Sequence, residues 1–134
     1  GNSWSAVGGI TYWAESLLVF DEDGDGPASE ALYSAPYVGE VENGPIGKWD
    51  GTSWTSLGGP LASVLCTFHE DGDGPEPRRL YAASGPILTG GISKWVGSGW
   101  VPLAGAPSSN VRCMIEFDPD GVPAVFAGDD SGGA

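Results

Sequence analysis

The most chemically loaded stretch of the chain is Asp21-Glu22-Asp23-Gly24-Asp25-Gly26. Acids at alternate positions, closed by a glycine, gather carboxylate oxygens around one point, as the opening of a calcium loop does. Asp21, Asp23 and Asp25 are therefore candidate Ca²⁺ ligands. The related run His69-Glu70-Asp71-Gly72-Asp73-Gly74 offers Asp71 and Asp73 as a less complete second set. A third copy keeps only Asp118 and Asp120. Leu32 stands where an EF-hand requires its twelfth-position acid, so an EF-hand is excluded. The same residues have a plainer reading, because Asp-Gly pairs make tight turns and acids keep sheet edges soluble. No cofactor other than this candidate Ca²⁺ is called for.

Catalytic chemistry finds little support. Asp130-Ser131-Gly132-Gly133 has the form of a serine-protease nucleophile motif. That chemistry needs a histidine base oriented by a buried acid. The single histidine, His69, lies inside an acidic turn. Paired histidines, Cys-x-x-Cys and phosphate-cradling glycine loops are all absent from the sequence. The expectation is a protein that is not an enzyme. Cys66 and Cys113 each follow a valine by two residues, which predicts equivalent positions in successive strands and buried free thiols.

Composition narrows the elements that can carry these residues. With 23 glycines and 11 prolines in 134 residues, long helices and helical bundles are excluded. Six tryptophans and 40% hydrophobic residues exclude a disordered chain. Short strands joined by tight turns remain, an all-β fold. Eighteen acids against five bases give a net charge of −13, a surface that repels phosphates, so nucleic acid is not an expected partner. No run approaches the roughly 20 apolar residues of a spanning helix, and membrane insertion is not expected. The acidic, lysine-poor, tryptophan-rich balance points to an extracellular or cell-surface setting.

The chain repeats itself at about 48 residues. Gly-x-x-Trp recurs at Trp4, Trp54 and Trp100. An apolar run ending in Phe and an acidic turn recurs at Phe20, Phe68 and Phe117. Leu32-Tyr33, Leu80-Tyr81 and Val125-Phe126 form a third landmark, and Ile-x-Lys-Trp at 46–49 and 92–95 a fourth. Each unit translates into four strands, a to d. Strand a is predicted at 15–20, 64–68 and 111–117, and strand b at 31–35, 79–83 and 123–127. Strand c is predicted at 45–49 and 91–95, and strand d at 3–7, 53–57 and 99–103. Asp50-Gly51 and Val96-Gly97 sit between c and d, where a type I′ hairpin turn is expected. A lone sheet of this kind cannot bury its faces. Four strands per repeat of this length predict β-propeller blades, with the recurrent aromatics as inter-blade core.

The assembled pattern of apolar run, Asp-Gly-rich turn, Leu-Tyr, Ile-x-Lys-Trp-Asp-Gly and Trp-x-x-Leu-Gly resembles a bacterial propeller-type repeat of large secreted or surface proteins. That repeat is loosely akin to kelch and WD-repeat propellers. The resemblance covers nearly the whole chain and implies a binding or scaffold role without chemistry. Units one and two depart from it in their longer a–b loops, 21–30 and 69–78.

The predicted domain is residues 1–134. It comprises strand d at 1–9, one blade at 10–59, a second at 60–105 and a partial third at 106–134. The order d-abcd-abcd-ab is one strand c short of three blades, which typically number four to eight in a closed ring. The chain thus reads as an excerpt of a longer propeller or as a unit completed by oligomerisation. Two copies would give about six blades, and an open version of the contact would give a polymer. Lys48 and Lys94 share one repeat position, as expected of structural salt bridges. Arg78 and Arg79 lie only in the second a–b loop, placed to neutralise Asp71 and Asp73 or to meet an acidic partner. Tyr12 and Trp13 sit in an insertion without counterpart, which makes them candidate partner or ligand contacts. The expected function is self-assembly or protein–protein contact. The rival readings are a lectin, with a glycan as partner, and a structural subunit of a surface filament.

Overall fold

The computed structural model describes residues 3, 7–9, 12–24, 26–37, 45–72, 74–84, 91–107, 109–119 and 121–130. Ten strands run through them: β1 (Ala14–Phe20), β2 (Ala31–Pro36), β3 (Gly47–Trp49), β4 (Trp54–Ser56), β5 (Ala62–Phe68), β6 (Arg79–Ser84), β7 (Ile92–Trp95), β8 (Trp100–Pro102), β9 (Val111–Phe117) and β10 (Ala124–Asp129). They form three antiparallel sheets: β1-β2-β3-β4 (sheet 1), β5-β6-β7-β8 (sheet 2) and β9-β10 (sheet 3). The fold is all-β, with two up-and-down meanders in the predicted strand order. The described residues do not close into a barrel or a propeller. Of the strand expected at 3–7, residues 4–6, with Trp4, lie outside the described residues.

Registers repeat from sheet to sheet. Leu18 pairs with Tyr33 and Phe20 with Ala31 in sheet 1. Cys66 pairs with Tyr81 and Phe68 with Arg79 in sheet 2, and Ile115 pairs with Phe126 and Phe117 with Ala124 in sheet 3. A register shift recurs at the start of strand a, at Ala14/Ser16 and at Ala62/Val64. This register corrects the reading of the cysteines. Cys113 pairs with Gly128, two positions before the equivalent of Cys66, so it matches Val64 instead. Both thiols are free, Cys66 buried and Cys113 exposed. Burial pushes the Cys66 thiol up.

The c–d turns also differ from expectation. A type I′ turn needs positive φ at both central residues, but the described residues hold no non-glycine with positive φ. Each hairpin instead places one glycine first: Gly51 at φ 98° and Gly97 at φ 82°. The Asp50 amide donates to the Ser53 carbonyl at 3.3 Å and Val96 to Gly99 at 3.0 Å, so the central pairs are Gly51-Thr52 and Gly97-Ser98. Glycine at the first central position is the pattern of a type II′ turn. Asp50 caps its turn, accepting from the amides of Thr52 and Ser53 at 2.8 and 2.9 Å. These bonds, with the Ser53 amide foremost, hold its carboxyl well below the usual range.

The two faces of each sheet have different jobs. Leu18, Phe20 and Tyr33 on one face of sheet 1 meet Leu65, Leu80, Ala82 and Trp95 on the facing side of sheet 2 in a single core. The opposite face of sheet 2, with Val64, Phe68, Tyr81 and Ile92, meets Val111 and Met114 of sheet 3. Tyr33 and Leu80 are fully buried, and each such side chain contributes about 1.5–3 kcal/mol of transfer free energy. The forward face of sheet 1 thus receives the backward face of sheet 2, and the forward face of sheet 2 receives the backward face of sheet 3. β5 packs between β1 and β9, so the strand a positions line up through the stack.

Tryptophans of strand d lock successive units. A Cβ on Gly59 would fall inside the Trp100 indole, so the Gly-Gly exit of unit one is the bed for the indole of unit two. Gly51 shares nearly the same φ, 98° against 100°, but faces open space. Gly51→Ala should therefore cost only backbone strain, about 1 kcal/mol. Gly59→Ala adds the clash and should cost at least about twice that. Urea unfolding of the two variants measures the difference.

Candidate functional site

The acidic a–b loops are built by their own backbone. Asp21 Oδ1 accepts from the Asp23 amide at 3.2 Å, and Asp23 Oδ2 accepts from the Ala28 amide at 3.1 Å. In the second loop Asp71 Oδ2 accepts from the Glu76 amide at 3.0 Å. A Cβ on Gly26 or Gly74 would strike the Asp23 or Asp71 carboxylate, which explains the second glycine of each Asp-Gly-Asp-Gly run. The Ala28 amide holds the Asp23 carboxyl low, while sharing a hydrogen bond with Asp23 pushes Asp21 up. Among the described residues no three His, Cys, Asp or Glu side chains converge on one point. Asp25 and Asp73, two of the candidate calcium ligands, lie outside the described residues.

The residue that organises each loop is one that spacing did not single out. Glu22 Oε1 accepts from the Tyr33 hydroxyl and from Lys48 Nζ, both at 2.5 Å. Its Oε2 accepts from the Trp95 indole N–H at 3.3 Å. Glu22 therefore joins its own loop to β2 and β3 and then reaches across to β7 of sheet 2. Glu70 repeats the local part, accepting from the Tyr81 hydroxyl and from Lys94 at 2.8 and 3.1 Å. Among the described residues no indole donates to Glu70. Its side chain is 40% exposed against 25% for Glu22. In unit three Pro119 replaces the glutamate and Phe126 replaces the tyrosine. Both ends of the hydrogen bond are lost together in unit three. The middle acid of Asp-Glu-Asp and His-Glu-Asp, present wherever Tyr and Lys are present, was the available signal.

Charge and burial shape the titration of these groups. Burial pushes Glu22 up, but hydrogen bonds from Lys48, Tyr33 and Trp95 outweigh it and leave the carboxyl low. Lys94 and then Tyr81 hold Glu70 low. Burial, then the neighbouring glutamate, pushes the Tyr33 and Tyr81 phenols up.

The candidate partner residues sit elsewhere. Arg78 forms an ion pair with Glu116 of β9 and Arg79 one with Glu76 at 3.5 Å, so neither engages Asp71. Both charges are answered inside the chain, because β9 brings Glu116 beside the second loop. Trp13 is 69% exposed and lies 6.4 Å from the exposed Tyr37 ring, fixed by a 2.6 Å bond from the Tyr37 amide to the Trp13 carbonyl. Tyr12 is half-buried. Its hydroxyl donates to the Ser34 carbonyl at 3.5 Å and occupies the space a side chain on Gly47 would need.

Two broad apolar faces remain at the ends of the stack. Leu17 and Val19 are 60% and 56% exposed on the backward face of sheet 1. The counterpart of Leu17 in sheet 2, Leu65, is buried against sheet 1, and that of Val19 is the half-buried Thr67. Ile115, Phe117 and Phe126 are 64%, 56% and 48% exposed on the forward face of sheet 3. Phe20 and Tyr33, the counterparts of Phe117 and Phe126, are buried by sheet 2. The chain therefore presents the two halves of its own internal packing, one at each end.

Glu22→Ala orphans the Tyr33 hydroxyl and the Trp95 indole and should cost about 2–3 kcal/mol, against about 1 kcal/mol for Glu70→Ala. Both carboxyls titrate lower when folded, so their contribution is whole above the ordinary value of 4.5 and is lost as pH falls below it. The two phenols titrate higher when folded, so their contribution is whole below 10.0 and is lost as pH rises beyond it. Chemical denaturation of the wild type from pH 3 to 11 should show both limits, and Glu22→Ala should flatten the acid one. No protein-family model, no curated protein and no solved structure matches the chain, so the geometry alone carries the functional reading.

Proposed function

We propose that the chain is a non-enzymatic β-propeller-type repeat module whose role is self-assembly or protein–protein contact through the ends of its sheet stack. One observation carries the reading: the exposed end faces are repeat equivalents of surfaces that are buried against each other inside the chain. Leu17 at one end matches Leu65, and Ile115, Phe117 and Phe126 at the other match Leu18, Phe20 and Tyr33, which meet Leu65 in the core between sheets 1 and 2. Exposed apolar patches of this kind mark interaction surfaces. Joining unlike ends is a heterologous contact. It closes into a ring, of about six blades for two copies, or continues as an open polymer such as a surface filament. The acidic surface and the resemblance to secreted repeats favour an extracellular or cell-surface setting.

A second reading rests on the exposed Trp13–Tyr37 pair, a geometry suited to stacking on a sugar ring, as a lectin would. A glycan array with wild type and Trp13→Ala tests it: loss of glycan signal in the variant supports it, and no signal from wild type removes it.

Sedimentation velocity over a micromolar concentration series tests the main reading. Wild type should sediment as a dimer or larger species. Phe117→Glu at one end, or Leu17→Glu at the other, should each return it to monomer. Wild type that stays monomeric throughout would refute self-assembly.

A further inference from the structure

The contact that seats Trp95 on Glu22 recurs in part at the next junction. Around Trp95 stand Phe20, Tyr33, Ile46, Leu57 and Leu80, with Glu22 accepting the indole N–H. Their repeat equivalents are Phe68, Tyr81, Ile92, Leu103 and Val125, with Glu70. Those six residues line a single pocket of about 340 Å³ between sheet 2 and β10, closed by Pro123 and Ala124. Such a volume accommodates a ring system of indole size. In sheets 1 and 2 the third strand supplies the tryptophan. In sheet 3, β10 pairs only with β9, and no other described residue pairs with its second edge. Register fixes where a third strand would place its side chains. Trp49 of β3 lies opposite Leu32 of β2, and the equivalent of Leu32 is Val125, in the wall of the pocket.

We propose that this pocket and the second edge of β10 form a docking site for a partner strand of the Ile-x-Lys-Trp type, its indole seated between sheets 2 and 3 and donating to Glu70. The strand adds antiparallel to β10, where main-chain hydrogen bonds give affinity and the pocket gives selectivity. The lysine of such a strand would lack the glutamate that Lys48 and Lys94 pair with, because Pro119 occupies that position. The tryptophan is therefore the discriminating residue. The proposal rests on the reading of the chain as a repeat-contact module and names one partner for it, at a site separate from the apolar end faces.

The probe is a synthetic peptide with the sequence of residues 91–103, the chain's own strand c–d hairpin, titrated by calorimetry into the full chain at a concentration where it is monomeric, or into the Phe117→Glu variant. Binding is expected, weakened at least tenfold when the peptide tryptophan equivalent to Trp95 is replaced by alanine. Glu70→Gln should weaken the native peptide several-fold but leave unchanged a peptide with phenylalanine at that position, which fills the pocket without an N–H. Val125→Trp, which fills the pocket from inside, should abolish binding while the melting temperature is held or raised. No binding, or binding indifferent to the tryptophan and to Val125→Trp, would overturn the proposal. A chain that binds the peptide without self-associating would refute only the assembly reading. A chain that self-associates without binding the peptide would refute only the docking site.

Discussion

A carboxylate shared by three donors holds this fold in order. Glu22 satisfies the hydroxyl of a fully buried tyrosine, neutralises Lys48 and accepts an indole N–H from the neighbouring sheet. The first two tasks fix the loop onto its own sheet, and the third fixes that sheet to the next. Short strands of three residues, such as β3 and β4, cannot hold a sheet alone. They persist here because a charged, multiply bonded group pins the end of each meander and because aromatic pairs such as Trp49–Trp54 and Trp95–Trp100 cap the other strands.

The repeat is a set of matched surfaces as well as a set of strands. The forward face of one sheet carries Phe and Tyr, and the backward face of the next carries Leu and Trp. Where sheet 1 meets sheet 2, those faces are joined by apolar packing and by the indole hydrogen bond to Glu22. Unit three alters the terms: Phe126 for Tyr and Pro119 for Glu convert a polar junction into an apolar one.

Much of the fold was legible because its signals are local. The apolar runs ending in Phe placed strand a within two residues in every unit, and 111–117 coincides with β9. Ile-x-Lys-Trp predicted both the third strand and the salt-bridging lysines. Where the answer depended on distance, the sequence was silent. The bond between Trp95 and Glu22 spans 73 residues and could not be read from spacing. Both c–d turns took another form because glycine stands at the first central position, followed by a residue without positive φ, and at Asp50 the carboxylate adds a cap on two amides. Cys113 fell out of register with Cys66 because the valines used for the count are not equivalent: Val111 matches Ala62, and Cys113 matches Val64.

The account stands on the claim that adjacent sheets are coupled through the Trp95–Glu22 hydrogen bond as well as through apolar contact. A double-mutant cycle on unfolding free energy, built from Glu22→Gln, Trp95→Phe and the pair, isolates that coupling. The account predicts a coupling of about 1 kcal/mol or more, within the usual range for residues in one network. Strict additivity of the two substitutions would contradict it.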